Sequence, residues 1–132
     1  MDDYNKRFKR GYAMLKKMGR EKLMLEQKAL YPEMYEMSVG HLFGDVWARP
    51  GLSLRERQLV TLAANIACVR PSGNHSHYRS SMHLGITKKE ICEVILQVGH
   101  YAGWPALSHA TRQFTEVLEE DAKAKKKKKK RK

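Results

Sequence analysis

Twice in this chain a hydroxyl residue stands three positions before a glutamate at the head of an apolar stripe: Ser53 with Glu56, and Thr87 with Glu90. In that pattern each side chain accepts a hydrogen bond from the other residue's backbone amide, which satisfies donors that a helix start otherwise leaves without partners. The stripes that follow are Leu59, Leu62, Ala63, Ile66 and Ala67, then Ile91, Val94, Ile95 and Val98. Both recur at three- and four-residue steps, the period of a helix with one buried face. No stretch alternates with period two for long enough to argue a strand, so the chain reads as all-α.

The other elements follow from spacing and punctuation. Phe8, Tyr12 and Leu15 mark a first helix that stops at Gly19, where a left-handed cap is sterically cheap. A second piece from about 21 to 30 ends before Pro32. Pro32 suits the first turn of a third helix running through Met34, Met37 and Leu42 and closed by Gly44. After the turn at Pro50 and Gly51, the fourth helix starts at Ser53 and reads as the central helix of the domain. A fifth is expected from 74 to 84, stopping at Gly85, then a sixth from Thr87, and a seventh opened by Pro105 and reaching about Glu120.

With 132 residues the size prior is one domain, whose small core leaves apolar surface for subunit contacts. The formal charge is +12, but Lys123 and the run 125–132 supply nine of the 26 basic residues, leaving 17 against 14 acidic and a body of only +3. The basic signal is thus a tail. We expect a domain over 1–121 and a disordered Lys-rich extension over 122–132, because like charges repel. Such a tail offers nucleic acid or an anionic surface a nonspecific contact, or serves only to keep the chain in solution.

Cys68 and Cys92 are the only cysteines, without the close pairing of a metal ribbon or the number of a secreted disulfide scaffold. The charged N-terminus and the lack of a long apolar run argue against a signal peptide or membrane span, so we expect a cytoplasmic location.

The segment "RPSGNHSHYRSSMHLG" holds three of the six histidines. Successive helical residues turn by about 100°, so His75 and His77 cannot both ligate one ion from a regular helix. His75, Arg79 and His83 share a face, but the arginine between the histidines repels a cation, and no carboxylate lies between Pro71 and Lys89. No metal site is expected. His77 shares the opposite face with Ser81 and Leu84. Spacing alone leaves it equally readable as a functional group or as a core histidine bonded to a backbone carbonyl.

A second cluster is "FGDVWARPGLSLRERQL", with Asp45, Arg49, Arg55, Glu56 and Arg57 around Trp47. Charged residues at a turn are usually just solvated. Paired arginines are nevertheless the natural clamp for a small carboxylate, since each planar guanidinium donates two parallel hydrogen bonds.

"FGDVWARPGLSLRERQLVTLAA" and "SHYRSSMHLGITKKEICEVILQVGHYAGWPA" together resemble the carboxymuconolactone decarboxylase family over about residues 32 to 112. That resemblance implies a helical subunit of the alkyl hydroperoxidase D-like class, with six or seven helices, assembling into ring-like trimers or hexamers. It also implies a cofactor-free carboxy-lyase, whose type member converts 4-carboxymuconolactone to 3-oxoadipate enol-lactone in aromatic catabolism. On the matched positions His77 is the donor or acid. On physical grounds we expect Arg49, with Arg57 as second choice, to hold a substrate carboxylate, Asp45 to orient a side chain and Trp47 to wall off water. Gln58, grouped with the binding residues, stands where many relatives carry glutamate, which removes a base.

Related thiol peroxidases of the superfamily carry a Cys-x-x-Cys pair where this chain has Arg70 and Gly73. The alternatives to a decarboxylase are therefore a thiol oxidoreductase working through Cys68, or a non-catalytic binding protein with a polybasic tail. A lone cysteine on an apolar stripe is more often a small core residue.

Overall fold

The computed structural model describes residues 3–132. Among them are seven α-helices and one π-helix and no strand, so the all-α expectation holds. The chain divides into two compact units, Met1–Gln58 and Leu59–Lys132.

In the first unit, α1 (Tyr4–Lys17) is capped by Asp3, whose side chain accepts from the amide of Asn5 at 3.4 Å. Gly19 ends it in the left-handed region at φ 65°. The second expected helix is shorter than its pattern: α2 covers only Leu25–Leu30, and turns occupy residues 21–24. Pro32 opens α3 (Pro32–Met37) as expected.

Gly44 does not close this helix. The backbone passes from α3 directly into a π-helix, Ser38–Trp47, that runs through Gly44. The glycine is there for packing: a Cβ at Gly44 would lie 2.4 Å from the carbonyl oxygen of Arg7, and one at Gly11 only 1.8 Å from that of Val39. The wide helix and α1 cross backbone against backbone. Leu15, Met18, Met24, Tyr35, Val39, Phe43 and Trp47 form the core of this unit.

The unit boundary falls within α4 (Leu54–Ala67). Its start is the expected reciprocal cap, with the Ser53 amide donating to Glu56 Oε2 at 2.7 Å and the Glu56 amide to Ser53 Oγ at 3.1 Å. Its stripe narrows to Leu62 and Ile66, with Leu59 partly buried, and both Ala67 and Cys68 are exposed. Cys68 is therefore not the small core residue its spacing suggests.

The second unit packs Leu62 and Ile66 with Tyr78 of α5 (Asn74–His83), Ile91 and Ile95 of α6 (Lys88–Ala102), and Ala110, Phe114 and Val117 of α7 (Trp104–Lys130). Gly85, at φ 84°, follows α5, and Thr87 with Glu90 caps α6 reciprocally. Tyr78 is fully buried, stacks on Phe114 with ring centroids 5.0 Å apart, and donates its hydroxyl to the carbonyl of Ala110 at 3.4 Å.

α7 departs furthest from expectation. Composition reads residues 122–132 as a disordered extension, yet the helix continues to Lys130 with every residue from 122 onward exposed. Lysine and alanine are strong helix formers, and cations at a helix C-terminus are favoured by its dipole. Those terms, added to a helix already nucleated by the packed turns before it, oppose the like-charge repulsion.

Candidate functional site

The α5 segment is placed by its start. Gly73 adopts φ 88°, a conformation costly for other residues, and leaves the helix N-terminus without a side-chain cap. In place of a cap, α7 holds the strand of chain leading into it. Gln113 is buried, donates to the carbonyl of Arg70 at 3.0 Å and accepts from Nδ2 of Asn74 at 3.2 Å. His109 Nε2 stands 3.1 Å from the same Arg70 carbonyl.

The face of α5 bearing His75 and Arg79 also looks to α7. His75 Nε2 is 2.8 Å from Glu116 Oε2, and Arg79 pairs with Glu120 and, at 3.2 Å, with Asp121. No nearby carboxylate is visible in the sequence because the acids come from 41 or 42 positions away. This face is a clamp between helices. Among the described residues no group of three or more His, Cys, Asp or Glu is placed to hold a metal ion.

His77 lies on the other side of α5 and is half-buried; its carbonyl accepts from Ser81 Oγ at 2.7 Å. The clamp and the Gln113 bonds together fix the helix that carries it, so a ring at position 77 is presented from a rigid base.

Asp45 sits in the π-helix of the first unit, one turn after His41. Its carboxylate accepts from Arg7 at 2.5 Å and Arg10 at 3.0 Å, with His41 Nδ1 at 3.2 Å. Arg10 Nε also donates to the carbonyl of Gly44 at 2.5 Å. The Arg7 guanidinium is the largest influence holding the Asp45 carboxyl below its usual range; partial desolvation opposes it, and His41 and Arg10 reinforce it. Asp45 is thus a fixed anion, suited to orienting cations and unsuited to giving up a proton near neutrality. Arg7, Arg10 and His41 were not candidates in the sequence; the two arginines come from α1 and nothing local marks them, whereas His41, four residues before Asp45, could have been found from its helical spacing.

Trp47 is buried in the core of its unit, stacked on Phe43 at 6.2 Å. Arg49 is exposed at the end of the π-helix, and its carbonyl accepts from Nη2 of Arg57 at 2.9 Å. Gln58 is fully buried. Asp45, Trp47, Arg49, Arg57 and Gln58 therefore lie within the first unit, and His77 lies in the second. Cys68 and Cys92 are both free thiols and exposed.

Residues 32–116 match the model of the carboxymuconolactone decarboxylase family. The chain belongs to that family. The matched span contains every candidate from Asp45 to His77 together with Gln113, while Arg7, Arg10 and the lysine-rich end of α7 lie outside it. The chain is 40% identical over 78 residues to a 4-carboxymuconolactone decarboxylase of Acinetobacter baylyi, covering 59% of this chain and 58% of that protein. It is also 35% identical over 68 residues to a nitrosuccinic acid decarboxylase of Metarhizium robertsii, covering 52% of this chain and 48% of that one. It spans about half the length of these curated relatives. As a member of the carboxymuconolactone decarboxylase family it has the helical build expected of one.

Proposed function

We propose that this chain is a cofactor-free decarboxylase acting on a small carboxylated lactone such as 4-carboxymuconolactone. The observation that carries the reading is the 40% identity over 78 residues to a protein of that name, with His77 and the arginine cluster inside the residues 32–116 that match the family. Both named relatives act on acids in which the departing carboxylate has an electron sink within reach, an unsaturated lactone in one and a nitro group in the other.

The chemistry asks little of the protein. The bond between the substrate carbon and its carboxylate breaks, carbon dioxide leaves, and the electron pair moves through the unsaturated lactone onto its carbonyl oxygen. A donor aimed at that oxygen stabilises the developing charge, and an acid returns a proton to carbon. His77 is our choice for that donor or acid. Arg49, exposed and cationic, and Arg57 hold a carboxylate of the substrate. Arg57 already gives one N–H to the Arg49 carbonyl, which makes Arg49 the freer of the two. Asp45 acts through the cations it holds, as a positioning residue.

We read the working form as a ring-like homo-oligomer, a trimer or hexamer, in a reducing cytoplasm. Large apolar side chains left open to solvent support this: Tyr101 is 88% exposed, Leu30 80% and Trp104 67%, surface that association would cover. Light scattering during gel filtration tests the assembly, a monomer being the contrary result. No helix among the described residues is long and apolar enough to cross a membrane. The reaction is tested by following loss of 4-carboxymuconolactone in the ultraviolet with carbon dioxide release measured in parallel.

A further inference from the structure

We propose that the final two turns of α7 are a binding element for duplex DNA, independent of the decarboxylase reading. Lys123 and residues 125–130, all lysine, lie in the helical part, and Arg131 and Lys132 follow. At about 100° per residue, those lysines point around the whole circumference, and no arc wider than about 100° lacks one. Every residue from 122 to 132 is exposed, and none of these cations is in an ion pair among the described residues.

Of the four carboxylates immediately upstream, at 116, 119, 120 and 121, three are engaged elsewhere, which leaves Glu119 against nine cations. Glu116 is engaged by His75, and Glu120 and Asp121 by Arg79. Those pairs tie α7 to α5 as far as Asp121, and the lysine turns leave the packed body just beyond. The result is a short cationic rod with a fixed root.

The shape of the charge selects the partner. A flat anionic membrane meets one side of a helix and takes its strength from apolar residues inserted below the headgroups. Here the far side would be left unmatched, and the only apolar residues from 122 to 132 are Ala122 and Ala124. The major groove of B-form DNA is about 12 Å wide, admits a helix about 10–12 Å across, and is walled by phosphates on both sides. Cations on two opposite flanks of the helix then find phosphate partners, where a flat surface meets only one. The major groove of A-form RNA is too narrow for the same fit. Phosphates would also relieve the repulsion between lysines four apart, so binding and helix formation reinforce each other. The contacts argued here are lysine to phosphate, which carry no base identity, so the binding is sequence-independent.

The test is fluorescence anisotropy of the full chain with a duplex DNA of about 20 base pairs. With about six phosphates contacted, log affinity falls against log salt with a slope of about −5. Removing residues 123–132 weakens binding at least about 30-fold at low salt, while circular dichroism shows the remaining helices intact. Ala124→Pro keeps every charge but cuts the lysine turns from their nucleus, and a piece so short does not hold a helix alone; binding weakens about fivefold or more. Duplex RNA and vesicles of phosphatidylserine and phosphatidylcholine bind more weakly than duplex DNA at equal salt. Unchanged DNA binding by the truncated chain, full affinity in Ala124→Pro, or equal or tighter binding to RNA or vesicles would each overturn the proposal. Turnover of 4-carboxymuconolactone is expected to be the same with and without the element, which separates this result from that of the enzymatic reading.

Discussion

Gly11 and Gly44 meet backbone to backbone: a Cβ built on Gly11 would lie 2.9 Å from the amide nitrogen of Gly44, and one built on Gly44 would lie 3.4 Å from the amide nitrogen of Gly11. This crossing of α1 with the π-helix brings Arg7 and Arg10 onto Asp45, residues 38 and 35 positions apart. The geometry of the Asp45 cluster therefore depends on two absent side chains.

Gly11→Ala places its methyl group against backbone that cannot turn aside, and is expected to cost about 3 kcal/mol or more, the upper end for overpacking. Gly40→Ala is the contrast, since nothing lies within 4 Å of its Cβ position. There the gain in helix preference, about 0.5–1 kcal/mol, is expected to leave stability equal or improved. Urea unfolding of the two variants beside the parent chain checks both.

Asp45 and Glu56 both have carboxyls held below their usual range, Asp45 first by Arg7 and Glu56 first by the Ser53 amide. Because the folded values are depressed, the stability they confer is fully present above the unfolded range of about 3.9–4.3. It is lost as pH falls through the folded values. Denaturation midpoints measured from pH 6 down to pH 3 should fall, and should fall less steeply in Asp45→Asn. An equal slope in the variant would remove Asp45 from this account.

Gln113→Leu leaves the Arg70 carbonyl with one donor fewer and Asn74 without its partner in a buried place. The expected loss is about 1–3 kcal/mol, read by thermal unfolding. If the network positions α5 for the reaction, the same change lowers kcat more than it raises KM for 4-carboxymuconolactone.

Arg49→Gln is expected to raise KM for that substrate roughly tenfold, the loss of a charge-assisted hydrogen bond of about 1.5 kcal/mol, with stability unaltered. Arg57→Gln should also lower stability, because the Arg49 carbonyl loses its donor. Steady-state kinetics with unfolding curves on both variants separates binding from structure.

Much of the fold could be read from the sequence wherever the information is local. The reciprocal caps at Ser53 and Thr87, and Gly85 after α5, involve residues within a few positions of each other, and each stands where its pattern puts it. The π-helix was not legible, because Gly44 reads as a helix end and its real role is set by α1 more than thirty residues earlier. The acidic partners of His75 and Arg79, and the arginines on Asp45, are hidden for the same reason. The lysine turns show the opposite failure. Charge composition predicts disorder, but it does not register a helix already extended from Trp104 by packing. For the candidate site the sequence supplies the residues put forward, while the clamp that fixes α5 was not legible there.

The central claim is that this chain decarboxylates 4-carboxymuconolactone with His77 as donor or acid. Its most direct test is carbon dioxide release by the purified full chain and by His77→Ala, with matched circular dichroism spectra. The account predicts turnover by the parent chain and a fall of about 10²–10⁴ in kcat for the variant, the usual worth of a positioned acid or base. No release from the parent chain, or an undiminished rate in His77→Ala, would contradict it.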